Sequence, residues 1–296
     1  MVYLVFCPFC FKIRTPQFFM VDNNTPGPIG IFDSGYGGLT VFKEIAARLP
    51  GYDYIYFGDN ARAPYGIRSF ETIYKYTLEC VRHLFDLNCH LVILACNTAS
   101  AKALRTIQQH DLEQYGHGHR VLGVIRPTTE MIGNVTRTKH IGIMATAGTV
   151  QSQSYVVEIN KFFPEVNVFQ QACPMWVPLI ENNEHNSAGA DYFVEECIAK
   201  LLAQSAQIDT IVLGCTHYPL MLNKIRQFVP GHIQVIVQGE IVADRLVDYL
   251  NRHPEIESLC SKSGQYQFFT TETPEEFDGK ARLFYGGAVH SRHFEL

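Results

Sequence analysis

The sequence predicts an α/β fold made of two similar doubly wound domains, with mostly parallel sheets and an active site in the cleft between them. Three observations support this prediction. Apolar runs without polar alternation each precede a segment with helical spacing, which is typical of parallel sheets covered by helices on both faces. The length of 296 residues suggests about two domains. A buried-type strand followed by Cys and two polar residues occurs twice, at Cys96 and Cys215, which lie 119 residues apart.

The predicted elements alternate from residue 28 onward. Short apolar runs that end in polar residues predict strands at 28–34, 53–59, 120–128, 140–149, 167–174 and 232–239. The segment 90–100 is predicted as a strand followed by a polar turn, and 209–219 as a strand followed by a loop. Amphipathic spacing predicts helices at 35–50, 69–87, 101–109, 152–163, 190–206, 219–229 and 241–252. In such sheets a ligand lies beyond the carboxyl ends of the strands. The strands that end in Asp, Ser, Thr or Cys therefore provide candidates for the site.

The N-terminal stretch is apolar and carries Cys7 and Cys10 in a C-x-x-C pattern. A signal peptide has its positive charge before the apolar part, whereas Lys12 and Arg14 follow it here. The stretch is too short to span a bilayer, and matching zinc ligands or a βαβ context for a redox pair are not evident. We interpret it as a dispensable tail, or as the product of an upstream start codon with Met20 as the true start.

Composition excludes some classes of function. The net charge of −5 argues against a general nucleic-acid binder, which needs a basic face to neutralise phosphates. The cysteine count is nine, an odd number scattered along a long chain, so a disulfide framework is not expected. This cysteine usage indicates a reducing, cytosolic compartment, in which thiols are buried, metal-bound or catalytic.

The repeated cysteine motif is the main candidate for chemistry. A Cys between a strand and a helix lies near the positive end of that helix, and this location is expected to lower the pKa of the thiol. Core filling, a disulfide, and a zinc site formed by Cys96, Cys215 and His217 are the alternatives, although a Cys and a His two residues apart are not a usual zinc spacing. Two thiols that face each other across a cleft could remove a proton from one face of a carbon and return one to the other face.

Several segments together resemble the glutamate racemases, which belong to the cofactor-independent Asp/Glu racemase superfamily. The resemblance extends from residue 28 to about residue 287. The most specific segments are IGIFDSGYGGLTV (29–41) and YFGDNARAPYG (56–66). The others are ACNTASA (95–101), GVIRPT (123–128), ATAGTV (145–150), CPMWVPLIE (173–181) and GCTHYPL (214–220).

The resemblance implies a role for each matching residue. Cys96 would act on the α-proton of the D-enantiomer and Cys215 on that of the L-enantiomer. Asp33 and His217 would assist the thiols, and Glu181 would be a further acidic helper. The residues that would bind the substrate are Asp33, Ser34, Pro64, Tyr65, Gly66, Asn97, Thr98, Thr146, Thr149 and Thr216. No metal and no cofactor is expected.

These residues also have ordinary structural interpretations. Asp33 and Ser34 alone would be typical of a helix-start turn, and Thr146 and Thr149 alone would be typical helix caps. Glu181 alone would be interpreted as a solvated loop acid. Aspartate racemase, or another racemase or isomerase of the superfamily, remains an alternative, as does a non-catalytic protein that binds a small anion.

The family pattern also implies how the chain is organised and where it acts. It predicts an N-terminal extension at 1–27, a first domain at 28–120 and 231–296, and a second domain at 121–230. The implied role is to supply D-glutamate for peptidoglycan, and so for cell-wall biogenesis and cell shape, in the cytoplasm. The expected partners are the substrate glutamate, a second copy in a homodimer and, as a regulator, a peptidoglycan precursor. Nucleic acid and membrane are not expected partners.

Overall fold

The computed structural model describes residues 25–116 and 118–296. Almost all of the predicted N-terminal extension, with its C-x-x-C pattern, lies outside the described residues. Gly27, at the end of that extension, forms an isolated parallel bridge with Cys260, and its N–H donates to the carbonyl of Leu259. The carbonyl of Thr25 also accepts a hydrogen bond from Asn88 Nδ2 at 3.1 Å, so residues 25–27 are joined to the folded part.

Two parallel sheets form the framework of the protein. The strands are β1 (Ile29–Asp33), β2 (Tyr54–Gly58), β3 (Leu91–Leu94), β4 (Arg120–Gly123), β5 (His140–Ala145), β6 (Asn167–Ala172), β7 (Thr210–Gly214), β8 (Gln234–Ile236), β9 (Tyr266–Thr270) and β10 (Ser291–His293). The first sheet has the order β10-β9-β2-β1-β3-β4, and the second has the order β6-β5-β7-β8. All the strand pairs are parallel, which confirms the predicted fold class.

Helices connect the strands. The α-helices are α1 (Leu39–Arg48), α2 (Phe70–Asp86), α3 (Asn97–Lys102), α4 (Leu104–Thr106), α5 (Ile125–Val135), α6 (Ala147–Ser152), α7 (Ser154–Phe162), α8 (Trp176–Glu181), α9 (Ala188–Leu202), α10 (Leu222–Phe228), α11 (Gly239–Arg252), α12 (Pro254–Glu257) and α13 (Pro274–Tyr285). The start of α2 shows how local chemistry sets a boundary, because the side chain of Ser69 accepts a hydrogen bond from the N–H of Thr72.

The central strands are buried on both faces. In β1 every residue is buried, and Ile29 and Ile31 belong to a different apolar cluster from Phe32. Successive side chains of a strand point to opposite faces, so both faces of this sheet are covered. In the second sheet Leu213 and Val212 likewise belong to different clusters. This burial explains why the strands have continuous apolar runs instead of alternating ones.

In two predicted strands, the last residues belong to a helix instead. The strand predicted at 120–128 ends at Gly123, and α5 begins at Ile125, because Pro127 lies in the first turn of a helix, where its missing N–H leaves no intrahelical bond unmade. The strand predicted at 140–149 ends at Ala145. Thr146 caps α6 by accepting a hydrogen bond from the N–H of Thr149, so its interpretation as a helix cap is confirmed.

The chain crosses between the sheets twice. β4 belongs to the first sheet and β8 to the second, so the crossings occur after Gly123 and after Ile236. The predicted boundaries at 120/121 and 230/231 lie a few residues before these crossings, because β4 still pairs within the first sheet and β8 within the second. The division into two domains remains a prediction.

Candidate active site

The two cysteines of the repeated motif lie at equivalent places in the two sheets. Cys96 follows β3 after one residue, and Cys215 follows β7 directly. The carboxyl edges of the two sheets face each other at this point. The hydroxyls of Thr98 and Thr146 are 3.0 Å apart, and the hydroxyl of Thr40 donates to the carbonyl of Thr216 at 2.8 Å. The fold therefore places both thiols at the junction of the two sheets.

Cys96 lies at the start of α3 and is only 6% exposed. Its sulfur is 3.4 Å from the Ser34 hydroxyl and accepts from the N–H of Ala99 at 3.5 Å. Burial raises the pKa of the Cys96 thiol to about 12, and the nearby carboxylate of Asp33 acts in the same direction. The expectation that the helix start lowers this pKa is therefore wrong, because loss of hydration outweighs the two hydrogen bonds.

Asp33 ends β1 beside this cysteine. One carboxylate oxygen accepts from the N–H of Gly35 at 2.9 Å, and the other is buried without a hydrogen-bond partner among the described residues. Burial raises the pKa of Asp33 to about 6, against the opposing effect of His217. A carboxyl group with a pKa near 6 can gain and lose a proton close to neutral pH, which is the property needed in a proton-transfer relay.

Cys215 has a different set of neighbours. Its sulfur is 4.0 Å from Nδ1 of His217, and Nε2 of the same ring is 2.9 Å from a carboxylate oxygen of Glu181. Burial disfavours the charged ring, but the interactions with Cys215 and Glu181 outweigh it and raise the pKa of His217 to about 10. The imidazolium form can donate from both nitrogens, so one N–H faces the Cys215 sulfur and the other faces the Glu181 carboxylate.

A glycine allows the two sheets to approach each other here. A Cβ atom at Gly37 would lie 2.3 Å from the hydroxyl of Thr216 and 2.4 Å from Nδ1 of His217. Because real Cβ atoms essentially never come this close, a larger residue would displace one of these groups. The Gly-rich segment after β1 is therefore a close-contact surface for the cysteine turn of the other sheet.

Three threonines form a hydroxyl cluster across the junction. Thr149 lies 3.4 Å from the hydroxyl of Thr98 and 3.1 Å from that of Thr146. Gly66 packs against the same cluster, since a Cβ there would be 3.0 Å from Cβ of Thr146. Four of the predicted binding residues thus converge on one place, where they offer hydroxyl and backbone donors.

Some predicted binding residues have other partners for their side chains. The hydroxyl of Tyr65 donates to a carboxylate oxygen of Asp59, and Pro64 lies exposed at the surface. The amide of Asn97 is hydrogen-bonded to Gln238 and Tyr155. If these residues bind the substrate as the sequence predicts, they would do so through backbone groups or through side-chain donors that these bonds leave unused. Sequence reasoning overlooked Gln238, although it follows β8, because only strands that end in Asp, Ser, Thr or Cys were taken as candidates for the site.

A cleft opens beside these groups. It has a volume of about 160 Å³ and is lined by Tyr36, Asn60, Pro64 and Glu181, among others. A larger cavity of about 690 Å³ is lined mainly by residues of α3, α4, α5, α7 and α11 and contains none of the predicted site residues. Of the predicted site residues, only Pro64 and Glu181 line the small cleft, so the contacts around Cys96 and Cys215, and not the size of a cavity, identify the candidate site.

Residues 25–116 and 118–296 contain no group of three or more His, Cys, Asp and Glu side chains able to hold a metal ion. The described cysteines are all free and buried. In the same part of the chain, none of the helices combines the length and apolar character needed to cross a membrane.

The fold and site define a two-sheet α/β protein with one cysteine from each sheet at a shared junction. The chain belongs to the Asp/Glu/Hydantoin racemase family, whose model matches residues 29–246. It is accordingly a racemase, and its resemblance to the glutamate racemases is confirmed by the relatives described next.

The relatives match over most of their length. The chain is 39% identical to the glutamate racemase of Geobacter metallireducens over 261 residues, which cover 88% of this chain and 93% of the relative. The structure of glutamate racemase isoform RacE1 from Bacillus anthracis superposes with a TM-score of 0.82 at 31% identity, covering 91% of this chain and 98% of the other. The glutamate racemase of Francisella tularensis, solved in complex with D-glutamate, gives 0.81 at 29% identity, covering 92% and 98%.

Proposed function

We propose that the protein interconverts L- and D-glutamate by a cofactor-independent reaction in which Cys96 and Cys215 act as the two acid–base groups. The observation that carries the proposal is that the two thiols have different neighbours, a carboxyl group beside one and an imidazole ring beside the other. Cys96 is buried beside the carboxyl group of Asp33, whereas Cys215 lies beside the His217 and Glu181 pair. Burial beside Asp33 favours a protonated Cys96, whereas His217, held by Glu181, faces the Cys215 sulfur as a possible donor.

In the direction from L- to D-glutamate, Cys215 acts as the base and Cys96 as the acid. The Cys215 thiolate takes the α-proton of L-glutamate, so the carbon–hydrogen bond breaks and its electron pair stays on the α-carbon. Cys96 then delivers its proton to the opposite face, which gives D-glutamate and leaves a thiolate on Cys96. In the reverse direction the two thiols exchange roles, and Asp33 and His217 stabilise the protonation state that each step requires.

The proposed substrate contacts come from donors that converge on the junction. Ser34, Thr98 and Thr216, with the Thr146–Thr149 pair, would bind the carboxylates through hydroxyl and backbone groups. Asn97 and the Pro64–Gly66 segment would contribute their remaining donors. Fixed donors of this kind stabilise the carbanion that develops next to the α-carboxylate, because they are already oriented before the reaction.

The proposal extends to the setting of the enzyme. D-glutamate would be supplied for peptidoglycan synthesis in the cytoplasm by a homodimer, with a peptidoglycan precursor as the regulator. These parts rest on family resemblance, and each can be measured separately from catalysis. Sedimentation tests the dimer, and racemisation rates with and without added precursor test the regulation.

The first experiment replaces each thiol. Cys96→Ala and Cys215→Ala should each abolish racemisation of both enantiomers, because each direction needs both groups. Cys89→Ala is the matched control, since Cys89 is equally buried but lies before β3, at the opposite end of the strand. Substantial conversion of L- to D-glutamate by either active-site variant would contradict the two-thiol mechanism.

Two further measurements define the substrate and the absence of a cofactor. Initial rates with D-glutamate, D-aspartate and hydantoins should favour glutamate, whereas a preference for D-aspartate would overturn the assignment of the substrate. Dialysis against a chelator and hydroxylamine should leave the activity intact. Loss of activity that metal or pyridoxal phosphate restores would contradict a cofactor-independent reaction.

A further inference from the structure

A closed ring of three hydrogen-bonded side chains lies behind the two cysteines. Asn97 Nδ2 donates to Gln238 Oε1 at 2.7 Å, Gln238 Nε2 donates to the Tyr155 hydroxyl at 2.9 Å, and that hydroxyl donates to Asn97 Oδ1 at 2.8 Å. All three residues are at most 3% exposed. We call this group the Asn97–Gln238–Tyr155 ring.

The direction of the hydrogen bonds in this ring is determined by the backbone. Gln238 Nε2 also lies 3.1 Å from the carbonyl oxygen of Val124 and 3.0 Å from the hydroxyl of Thr128. A carbonyl oxygen can only accept, so the NH₂ group of Gln238 must face Val124. Gln238 Oε1 then faces Asn97, which fixes the orientation of the second amide and of the tyrosine hydroxyl.

The ring joins the parts of the chain that carry the two thiols. Asn97 directly follows Cys96 in the first sheet. Tyr155 belongs to α7 beside the second sheet and packs on the residue before Cys215, since a Cβ at Gly214 would lie 3.1 Å from Cε2 and 3.2 Å from the hydroxyl of Tyr155. Gln238 lies at the second crossing of the chain between the sheets and bonds to Val124 at the first crossing.

We propose that the Asn97–Gln238–Tyr155 ring sets the separation of the two thiols, and that Gln238 and Tyr155 are positioning residues for proton transfer. The inference rests on the proposed two-thiol function. A buried, fully paired network is rigid and tolerates few alternative geometries, because an unpaired polar group would be costly there. Proton transfer is sensitive to displacements of about 1 Å, so a fixed separation matters for the rate.

The ring should affect how the carbanion is partitioned. After one thiolate removes the α-proton, the opposite thiol must deliver its hydrogen before the first thiol returns one. If the opposite thiol is displaced, the carbanion is reprotonated more often on its original face. In D₂O, once the first thiol has exchanged with solvent, this return places deuterium in the enantiomer that has not been inverted.

The experiment compares Gln238→Met and Tyr155→Phe with the unaltered full-length chain. Both variants should lower kcat on the order of tenfold in each direction with little change in KM. They should also raise, severalfold, the ratio of deuterium in the unreacted enantiomer to deuterium in the inverted product, measured by chiral chromatography and mass spectrometry. Tyr54→Phe is the matched control, because Tyr54 is equally buried and also donates one hydrogen bond, to the Leu49 carbonyl, but lies outside the junction.

The possible outcomes distinguish a failure of the positioning role of the ring from a failure of the proposed two-thiol function. A lower kcat or melting temperature with an unchanged deuterium ratio would overturn the inference, because it would assign the ring a purely structural role. Tyr155→Phe removes only one hydroxyl and keeps the test decisive if Gln238→Met does not fold. Full racemisation by Cys96→Ala would instead refute the two-thiol function itself, whatever the ring variants do.

Discussion

Replacing Glu181 by Gln tests whether the histidine beside Cys215 works as a charged donor. Nε2 of His217 lies 2.9 Å from the Glu181 carboxylate, and the side chain of Glu181 is 28% exposed. A hydrogen bond to a charged group contributes about 1.5–3 kcal/mol, and partial exposure favours the lower end of this range. Since about 1.4 kcal/mol corresponds to one pKa unit, Glu181→Gln should lower the pKa of His217 by about one unit.

The sign of this effect determines where it can be seen. The pKa of His217 is raised to about 10, so the imidazolium is present at neutral pH and is lost as the pH rises through that value. The basic limb of the kcat/KM profile for racemisation should therefore move about one pH unit lower in Glu181→Gln. With a single ionisation, kcat/KM of Glu181→Gln near pH 9.5 should be about threefold lower than that of the unaltered protein, after each profile is divided by its own value at neutral pH.

The assay follows initial rates of glutamate racemisation by circular dichroism from neutral to strongly basic pH. Glu272→Gln is the matched control, because Glu272 also lines the cleft but contacts neither His217 nor Cys215 among the described hydrogen bonds. The control should keep the basic limb of the unaltered protein. An identical basic limb in Glu181→Gln would refute the reasoning, since it would show that the carboxylate does not stabilise the charged ring.

Two other predictions concern the approach of the sheets and the stability of the fold. Gly37→Ala should reduce kcat by at least tenfold, because its Cβ would come within 2.4 Å of Thr216 and His217. The control Gly51→Ala should leave kcat unchanged, because no atom lies within 4 Å of its Cβ. Equal activity of the two variants would show that the contact at Gly37 relaxes freely. Asp209→Asn should destabilise the protein by about 1–2 kcal/mol at pH 7, because hydrogen bonds depress the pKa of Asp209 to about 2 despite some opposing burial. A carboxyl group with a depressed pKa stabilises the fold at pH values above its unfolded pKa near 4, and this contribution is lost as the pH falls towards 2. In urea unfolding, the difference in unfolding free energy between the unaltered protein and Asp209→Asn should therefore shrink from pH 4 to pH 2. A difference that does not depend on pH would contradict this prediction.

The strand pattern and the paired cysteines were predictable from sequence for a physical reason. Strands buried on both faces need continuous apolar runs, and the last residue of such a run marks the sheet edge where polar groups meet. Asp33, Cys96 and Cys215 could therefore be placed at their strand ends from spacing alone. The assignment of the two cysteines to a site came from two sheets that present the same residue at the same position, whereas that of Asp33 came from the family resemblance.

Other features depend on energies that a linear sequence does not display. The pKa of Cys96 was predicted with the wrong sign, because the helix start is visible in the sequence and the depth of burial is not. The helix at 125–135 was overlooked because Pro127 follows an apolar run and suggests the end of a strand, although Pro is tolerated in a first helical turn. The role of Gln238 could not be seen either, since its partners are 83 to 141 residues away in the chain.

The unequal surroundings of the two thiols have a thermodynamic consequence. Mirror-image forms of a free amino acid have the same free energy, so the equilibrium constant of racemisation is unity. The ratio kcat/KM must then be identical for the two enantiomers at every pH, however different Asp33 is from the His217–Glu181 pair. The asymmetry of the site can make kcat and KM differ between the two enantiomers, but only in the same proportion, so that their ratio stays equal. The different surroundings of the two thiols thus give no net preference for making the D-form, and net formation of one enantiomer requires a later reaction that consumes it.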